Sequence, residues 1–231
     1  MKHRIFVDAI SPSIDVTGEE FHHAARVVRL RDGEEIEVFD GKGHAARGRV
    51  QSIDRDALHI EVVSDIESRE SRVRIHLAPA IIQLDKFELV LQKATELGSA
   101  SITPLVADRT EVREERYRGK RERWEKIVLE AVKQSGRALI PPVNEPAQFD
   151  TIAKTSDARI VFDADEAPHA TLPAVDDVTI LIGPEGGWSE REIALARQAG
   201  CMFERLGPRR LRAETAAIAA LSIMAARYGD I

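Results

Sequence analysis

The chain has 231 residues, 43% of them hydrophobic and 31% charged, and its 33 Lys+Arg against 39 Asp+Glu give a formal charge of −6. Length and composition fit one large or two small globular domains and exclude a disordered tail, a collagen-like fibre and a disulfide-stapled module. The longest run of small and apolar residues, Ala216 to Ala226 interrupted by Ser222, is well short of the ~20 residues that span a bilayer, so no membrane partner is expected.

The opening residues, Met1-Lys2-His3-Arg4-Ile5-Phe6-Val7-Asp8, hold no apolar signal-peptide core, which points to a cytoplasmic protein. Residues 1–70 read mostly as β-strand. Arg4–Val7, Glu35–Phe39, Ala45–Ile53 and Leu58–Val63 are short alternating runs, separated by turn signals at Arg31–Gly33, Asp40–Gly43 and Asp54–Asp56. Thr17 and Glu20 form a capping-box pattern ahead of a helix carrying Phe21, Ala24, Ala25, Val28 and Leu30. Together these predict a small barrel-like domain, with the polar stretch Ser64–Ser71 as a linker.

From Arg74 the pattern changes to alternating strands and helices. Ile75–Ala80 is strand-like. Asp85 and Glu88 cap a helix with Phe87, Val90, Leu91, Ala94 and Leu97 on one face, stopped by Gly98. Ile102–Val106 is the next strand. A helix from Tyr117 carries Trp124, Ile127, Val128, Ala131 and Val132 at helical spacing and ends before Gly136. Arg159–Asp163 and Val178–Ile182 are strands, and Ser189 with Glu192 caps a helix ending at Gly200. Phe203–Leu206 is a last strand and Ala213–Tyr228 a closing helix, whose alanines suit close packing against another helix inside the subunit or across a dimer. This alternation predicts an α/β domain over residues 74–231, with a parallel sheet covered by helices. The single cysteine, Cys201, rules out an intrachain disulfide and reads as a buried strand residue. The seven histidines are scattered, so no metal site is expected.

The net charge is unevenly placed. Pro142–Ile180 holds Glu145, Asp150, Asp157, Asp163, Asp165, Glu166, Asp176 and Asp177 against Lys154 and Arg159, so the rest of the chain is neutral overall. Basic stripes lie elsewhere: Arg26, Arg29 and Arg31; Arg109 to Lys126, with eight bases and five acids; and Arg205 to Arg212, with four arginines and no acid. One such run is ordinarily a solvated helix face. Three together add weight to an anionic partner.

Two loops follow strand ends, where ligands of open α/β sheets sit. Gly183-Pro184-Glu185-Gly186-Gly187-Trp188 follows Val178–Ile182 and runs into the capped helix at Ser189. Glycines there let backbone approach a ligand closely, although any sharp strand-to-helix turn uses glycine. The pattern is neither a dinucleotide fingerprint nor a Walker A loop. The second loop is Leu206-Gly207-Pro208-Arg209-Arg210-Leu211-Arg212-Ala213-Glu214-Thr215-Ala216. Arginines compressed against a Gly-Pro turn suit phosphate pairing or stabilisation of an anionic oxygen, or else a surface turn with Glu214 and Thr215 starting a helix.

In this order, Leu181–Glu192 and Leu206–Ala216 resemble the RsmE family, N3-methyltransferases for one uridine of 16S ribosomal RNA. Leu91-Gln-Lys-Ala-Thr-Glu-Leu-Gly98, Asp108-Arg109-Thr110 and Arg123-Trp124 with Glu130-Ala-Val-Lys-Gln-Ser135 extend the resemblance over nearly the whole chain. The sequence departs from the family at Trp188, more often another large apolar residue, and at Arg210, often aliphatic. The resemblance implies a PUA-like RNA-binding β-barrel over residues 1–70 and a SPOUT methyltransferase domain, with its trefoil knot, over 74–231. It also implies S-adenosylmethionine (SAM) as cofactor, 16S rRNA of the small subunit as partner, and a homodimer with the active site near the subunit interface.

Within that resemblance, backbone around Leu181, Ile182, Gly183, Gly186, Gly187, Leu206, Gly207 and Leu211 forms the cofactor cradle, with Thr215 as a side-chain contact. Uridine N3 is mostly protonated at neutral pH, and the protonated imide is a poor nucleophile. Catalysis must therefore weaken or remove that proton and align N3 with the methyl group. Arg209 or Arg212 would stabilise uracil O2 or O4 as charge develops. Glu185 or Glu214 would be the base, or equally a helix cap or an arginine partner. Arg26, Arg29, Arg31, Arg109 and Arg123 are candidate phosphate contacts. Two alternatives remain open: a ribose 2′-hydroxyl methyltransferase, which needs no uracil deprotonation, and a catalytically silent RNA-binding assembly factor.

Overall fold

The computed structural model describes residues 3–155, 157–165, 171–172 and 174–230; Glu166 of the acidic stretch lies outside them. The chain packs as two compact units, Met1–Glu70 with Val132–Ile140, and Ser71–Ala131 with Pro141–Ile231.

The first unit is built on five strands, β1 (Arg4–Phe6), β2 (Ser13–Val16), β3 (Glu35–Phe39), β4 (Ala45–Ile53) and β5 (Leu58–Ile66), ordered β1-β3-β4-β5-β2. β1 and β3 are parallel and the other pairs antiparallel. Alternation turns Ile36, Val38, Ala46, Val50, Leu58 and Ile60 into one core with Ile14, Val16, Phe21 and Leu30. β2 escaped the sequence reading because its four residues offer only two apolar positions, Ile14 and Val16. β5 runs on to Ile66, through the first residues of the expected linker.

Helix α1 (Gly18–His22) continues into a π-helical turn, His23–Val28. The expected capping box is not made, since the Thr17 side chain accepts no cap bond. The Glu20 carboxylate instead accepts from Lys133 Nζ at 2.5 Å. The turn closes at Arg29, which adopts a left-handed conformation (φ 60°, ψ 48°) that costs a non-glycine residue about 1 kcal/mol. Residues 132–140 join this unit because Arg137 donates to Glu70 at 2.6 Å and the Ile140 N–H donates to the Gly41 carbonyl at 2.9 Å.

In the second unit, β6 (Arg74–Pro79), β7 (Ser101–Ile102), β10 (Ala158–Phe162), β11 (Asp177–Ile182) and β12 (Met202–Glu204) form an all-parallel sheet ordered β12-β10-β11-β6-β7. β11 buries Val178, Ile180, Leu181 and Ile182, an apolar run interrupted only by Thr179 and expected of a strand covered on both faces. The strand expected over Ile102–Val106 is split by Pro104, which has no N–H to donate. Beyond it, β8 (Leu105–Val106) pairs with β9 (Ala147–Gln148) in a separate ladder.

The helices are α2 (Leu84–Glu96), α3 (Glu114–Tyr117), α4 (Arg121–Ser135), α5 (Phe149–Ala153), α6 (Glu190–Gln198) and α7 (Ala213–Tyr228). Tyr117 closes α3 rather than opening the long helix. α2 starts after Gln83 with no side-chain cap. Glu88, expected as a capping residue, accepts a two-pronged bond from Arg123 at 2.5 and 2.7 Å. Cys201 is buried but sits one residue ahead of β12, not within it.

Candidate active site

Parallel register sets Phe162 beside Ile182 on one side and Glu204 on the other. The loops leaving β10, β11 and β12 therefore emerge side by side at the C-terminal edge of the sheet. They line a cleft of about 250 Å³. Asp163 and Asp165 come from the first loop, Gly183–Trp188 from the second, and Arg205–Gly207 and Arg209–Leu211 from the third. Ala213 and Ala216 of α7, Arg109 from the loop after β8, and Phe162, Ala164 and Ile182 complete the lining.

Of the expected cradle, Ile182, Gly183, Gly186, Gly187, Leu206, Gly207 and Leu211 line the cleft; of the candidate catalytic side chains, Glu185 and Arg209 do. Leu181 does not, because the strand's alternation turns its side chain into the core with Ala78, Val161 and Trp188. Arg212 is the exposed N-cap of α7, Glu214 lies in the first turn, and Thr215 is exposed. Glu214 Oε2 is nevertheless buried, with no hydrogen-bond partner among the described residues. Arg26, Arg29 and Arg31 are all exposed in the first unit. Arg123 is engaged by Glu88, and Arg109, expected on RNA phosphate, faces the cleft. Sequence reasoning missed Asp163 and Asp165 as site residues. Their place directly after a strand is the sequence signal for them, masked by the acidic stretch around them.

The glycines have separate geometric reasons. Gly187 (φ 69°) and Gly207 (φ 102°) take conformations that side chains resist, and among the described residues nothing lies within 4 Å of a would-be Cβ. A Cβ on Gly183 would lie 3.1 Å from the Trp188 ring. That ring cannot easily yield: its Nε1–H donates to the Phe162 carbonyl at 3.0 Å, and its centroid is 4.9 Å from that of Phe149.

The helix that follows is firmly started. Ser189 Oγ accepts from the Glu192 N–H (3.1 Å), and the Glu192 carboxylate accepts from the Ser189 N–H (2.8 Å), completing the capping box. Glu192 is fully buried and also accepts from the Asp108 N–H at 3.0 Å. The Asp108 carboxylate takes bonds from Arg191 (2.8 Å) and Ser189 Oγ (2.5 Å), which hold its pKa below the ordinary carboxylate range. Arg191 also donates to Asp150 at 2.8 Å. In the cleft, Arg210 pairs with Asp165 at 3.2 Å, and Arg109 Nη1 donates to the Gly186 carbonyl at 2.8 Å.

The profile of the RNA methyltransferase domain family matches residues 69–225, and that of the RNA methyltransferase PUA domain matches residues 16–63. Ribosomal RNA small subunit methyltransferase E of Bacillus subtilis (strain 168) is 32% identical over 228 residues, covering 92% of this chain and 89% of that one. The chain belongs to the ribosomal RNA small subunit methyltransferase E family. Its Synechocystis member is 33% identical over 226 residues, covering 92% of this chain and 73% of that one. The crystal structure of the family member from Neisseria gonorrhoeae, bound to S-adenosyl methionine, superposes with a TM-score of 0.91 at 30% identity over 100% of both chains.

Proposed function

We propose that this chain methylates N3 of a uridine in 16S ribosomal RNA of the small subunit, using SAM, as a cytoplasmic homodimer. The observation that carries the proposal is the convergence of the glycine loop after β11 and the arginine loop after β12 on one cleft. The lining suits the cofactor's chemistry. Ile182, Pro184, Leu206 and Leu211 offer apolar surface for a purine, the open Cα faces of Gly187 and Gly207 let a ligand approach the backbone, and Asp163 and Asp165 complement hydroxyl and cationic groups. When bound, SAM supplies an electrophilic methyl group on its sulfonium.

This chain's residues then prepare the acceptor. Arg209, exposed at the cleft, stabilises negative charge on uracil O2 or O4 and so favours the deprotonated imide. Glu185 lines the same cleft and takes the N3 proton, and the unpartnered oxygen of Glu214 makes it the second candidate base. Arg212, the exposed N-cap of α7, is the alternative to Arg209 in stabilising that negative charge. Arg26, Arg29 and Arg31 bind phosphate from the PUA unit; the strained backbone at Arg29, kept for an arginine where glycine is easier, supports a functional use. The proposal extends to a SPOUT fold with a trefoil knot in the second unit. It also includes a dimer contact through α2 and α7, which expose the apolar side chains Leu89 (40%) and Ile223 (43%).

Methyl transfer to small subunits from a strain lacking the modification, with the product nucleoside mapped by mass spectrometry, should yield N3-methyluridine. A 2′-O-methyl product would identify the ribose-directed alternative. Absence of both transfer and SAM binding would leave an RNA-binding factor.

A further inference from the structure

We propose that Arg109 is a positioning residue for the cofactor cradle, not a phosphate contact; the proposal rests on reading the cleft as the SAM site. The glycine loop contains a Gly186-Gly187 peptide, and a Gly-Gly peptide meets the least steric resistance to flipping its plane. Its orientation decides whether the loop shows a carbonyl or an N–H to a ligand. In this protein that peptide is held at both ends. The Gly187 N–H donates to the Pro184 carbonyl at 2.9 Å, and the Gly186 carbonyl accepts from Arg109 Nη1 at 2.8 Å. The second bond is charge-assisted and is the stronger kind.

The arginine lies along the loop. An ideal Cβ on Gly186 would be 3.2 Å from Arg109 Cβ and 3.4 Å from its Cδ, so the stem packs on the glycine's Cα. Arg109 also rises from a fixed base. The Thr110 N–H donates to the Ala107 carbonyl (3.0 Å), the Ala107 N–H donates to Thr110 Oγ1 (2.9 Å), and the Asp108 N–H donates to the buried Glu192 carboxylate (3.0 Å). Glu192 thereby anchors both the start of α6 and the loop that carries Arg109. A side chain meant for a phosphate would keep its N–H groups clear of backbone; here one of them is committed to the cradle.

The test compares wild type, Arg109→Ala, Arg109→Lys, Gly186→Ala and the Arg109→Ala/Gly186→Ala double variant by calorimetric titration with SAM and by the salt dependence of RNA binding. Gly186 does not have a left-handed φ, so alanine is allowed by its backbone, and the three atoms nearest its methyl all belong to the arginine stem. Arg109→Ala is expected to weaken SAM binding about tenfold, equivalent to about 1.4 kcal/mol. It should raise KM for SAM and leave KM for RNA and the RNA salt slope unchanged. Arg109→Lys, with one charged nitrogen and no fork, should fall between the two. Gly186→Ala should weaken SAM binding in the wild-type background and cost less in the Arg109→Ala background, because the Cγ and Cδ it meets are gone while the Cβ at 3.2 Å stays. Unchanged SAM affinity in Arg109→Ala, strictly additive losses, or a salt slope lowered by about one would overturn the proposal. Failure of the wild type to bind SAM would instead bring down the functional reading, and this inference with it.

Discussion

Glu192 joins two segments through one buried carboxylate, and its removal has a calculable cost. In Glu192→Ala the N–H groups of Ser189 and Asp108 lose acceptors at 2.8 and 3.0 Å. A hydrogen bond to a charged group contributes about 1.5–3 kcal/mol. Ser189 stands at a half-buried helix start, where water replaces part of its loss, so the combined cost is about 3 kcal/mol rather than the full sum of the two bonds. In a chain of this length each kcal/mol moves Tm by about 2–4 °C, so Glu192→Ala should melt about 6–12 °C below wild type. Glu192→Gln keeps the volume and one acceptor oxygen but turns an NH₂ group toward the other donor, and should lose about half as much. Ser189→Ala removes only the cap acceptor and its bond to Asp108, a loss of about 1 kcal/mol. Urea unfolding followed by circular dichroism and by tryptophan fluorescence measures all three, with coincident transitions checking that one free energy describes each variant. A Glu192→Ala protein within about 0.5 kcal/mol of wild type, inside the range of ordinary surface changes, would refute the anchoring role.

Further expectations concern single contacts. Gly183→Ala places a methyl against the pinned Trp188 ring and should cost about 1–3 kcal/mol, with SAM affinity falling in the same variant by calorimetry. Asp177 is held at a pKa of about 2 by hydrogen bonds from Arg74 and His76, below its ordinary 3.8. Its stabilisation is therefore complete above about pH 4 and lost as pH falls toward 2. Asp177→Asn should flatten the stability profile across that window and cost about 1 kcal/mol at neutral pH, where exposure of Arg74 screens the pair; acid titration of Tm reads both. Arg29→Gly relieves the left-handed backbone, so stability should hold or rise by a few tenths of a kcal/mol, while the salt slope of RNA binding falls by about one. Arg123→Ala should leave that slope unchanged, because Glu88 already neutralises its guanidinium.

What the sequence made legible followed from periodicity and local chemistry. The strands over Glu35–Phe39 and Ala45–Ile53 and the helix Ala213–Tyr228 appear with the residues expected, and the Ser189/Glu192 capping box forms with both of its bonds. Capping patterns at Thr17/Glu20 and Asp85/Glu88 did not form, because Glu20 and Glu88 found lysine and arginine partners far away in sequence. Spacing alone cannot separate a glutamate that caps its own helix from one that reaches across to another element. The same limit applies at the site. The two loops were visible from their glycines and arginines, but Asp163 and Asp165 enter only because β10 lies between β11 and β12, a neighbourhood set by sheet order. Leu181 and Ile182 make the point at the finest scale. Adjacent in a cradle motif, they point to opposite faces of β11, one into the core and one toward the cleft.

The charge of −6 changes meaning under this geometry. Read as a sum, it disfavours a polyanionic partner, because phosphate contacts come from local arginine and lysine side chains held against a like-charged background. Yet part of the acidic stretch is spent inside the second unit. Asp177 is tied to Arg74 and His76, Asp150 to Arg191, and Asp165 to Arg210. Such paired carboxylates project little field beyond a Debye length of about 8 Å at physiological salt. Arg26, Arg29 and Arg31, in contrast, are exposed at a turn whose apolar Val27 is 70% exposed beside them. On the proposed reading, an RNA backbone at that turn meets first the field of those exposed arginines, screened by salt. Neutralising Asp165 should therefore alter SAM binding at the cleft and leave RNA affinity at the turn unchanged, whereas a net-charge account requires RNA affinity to rise.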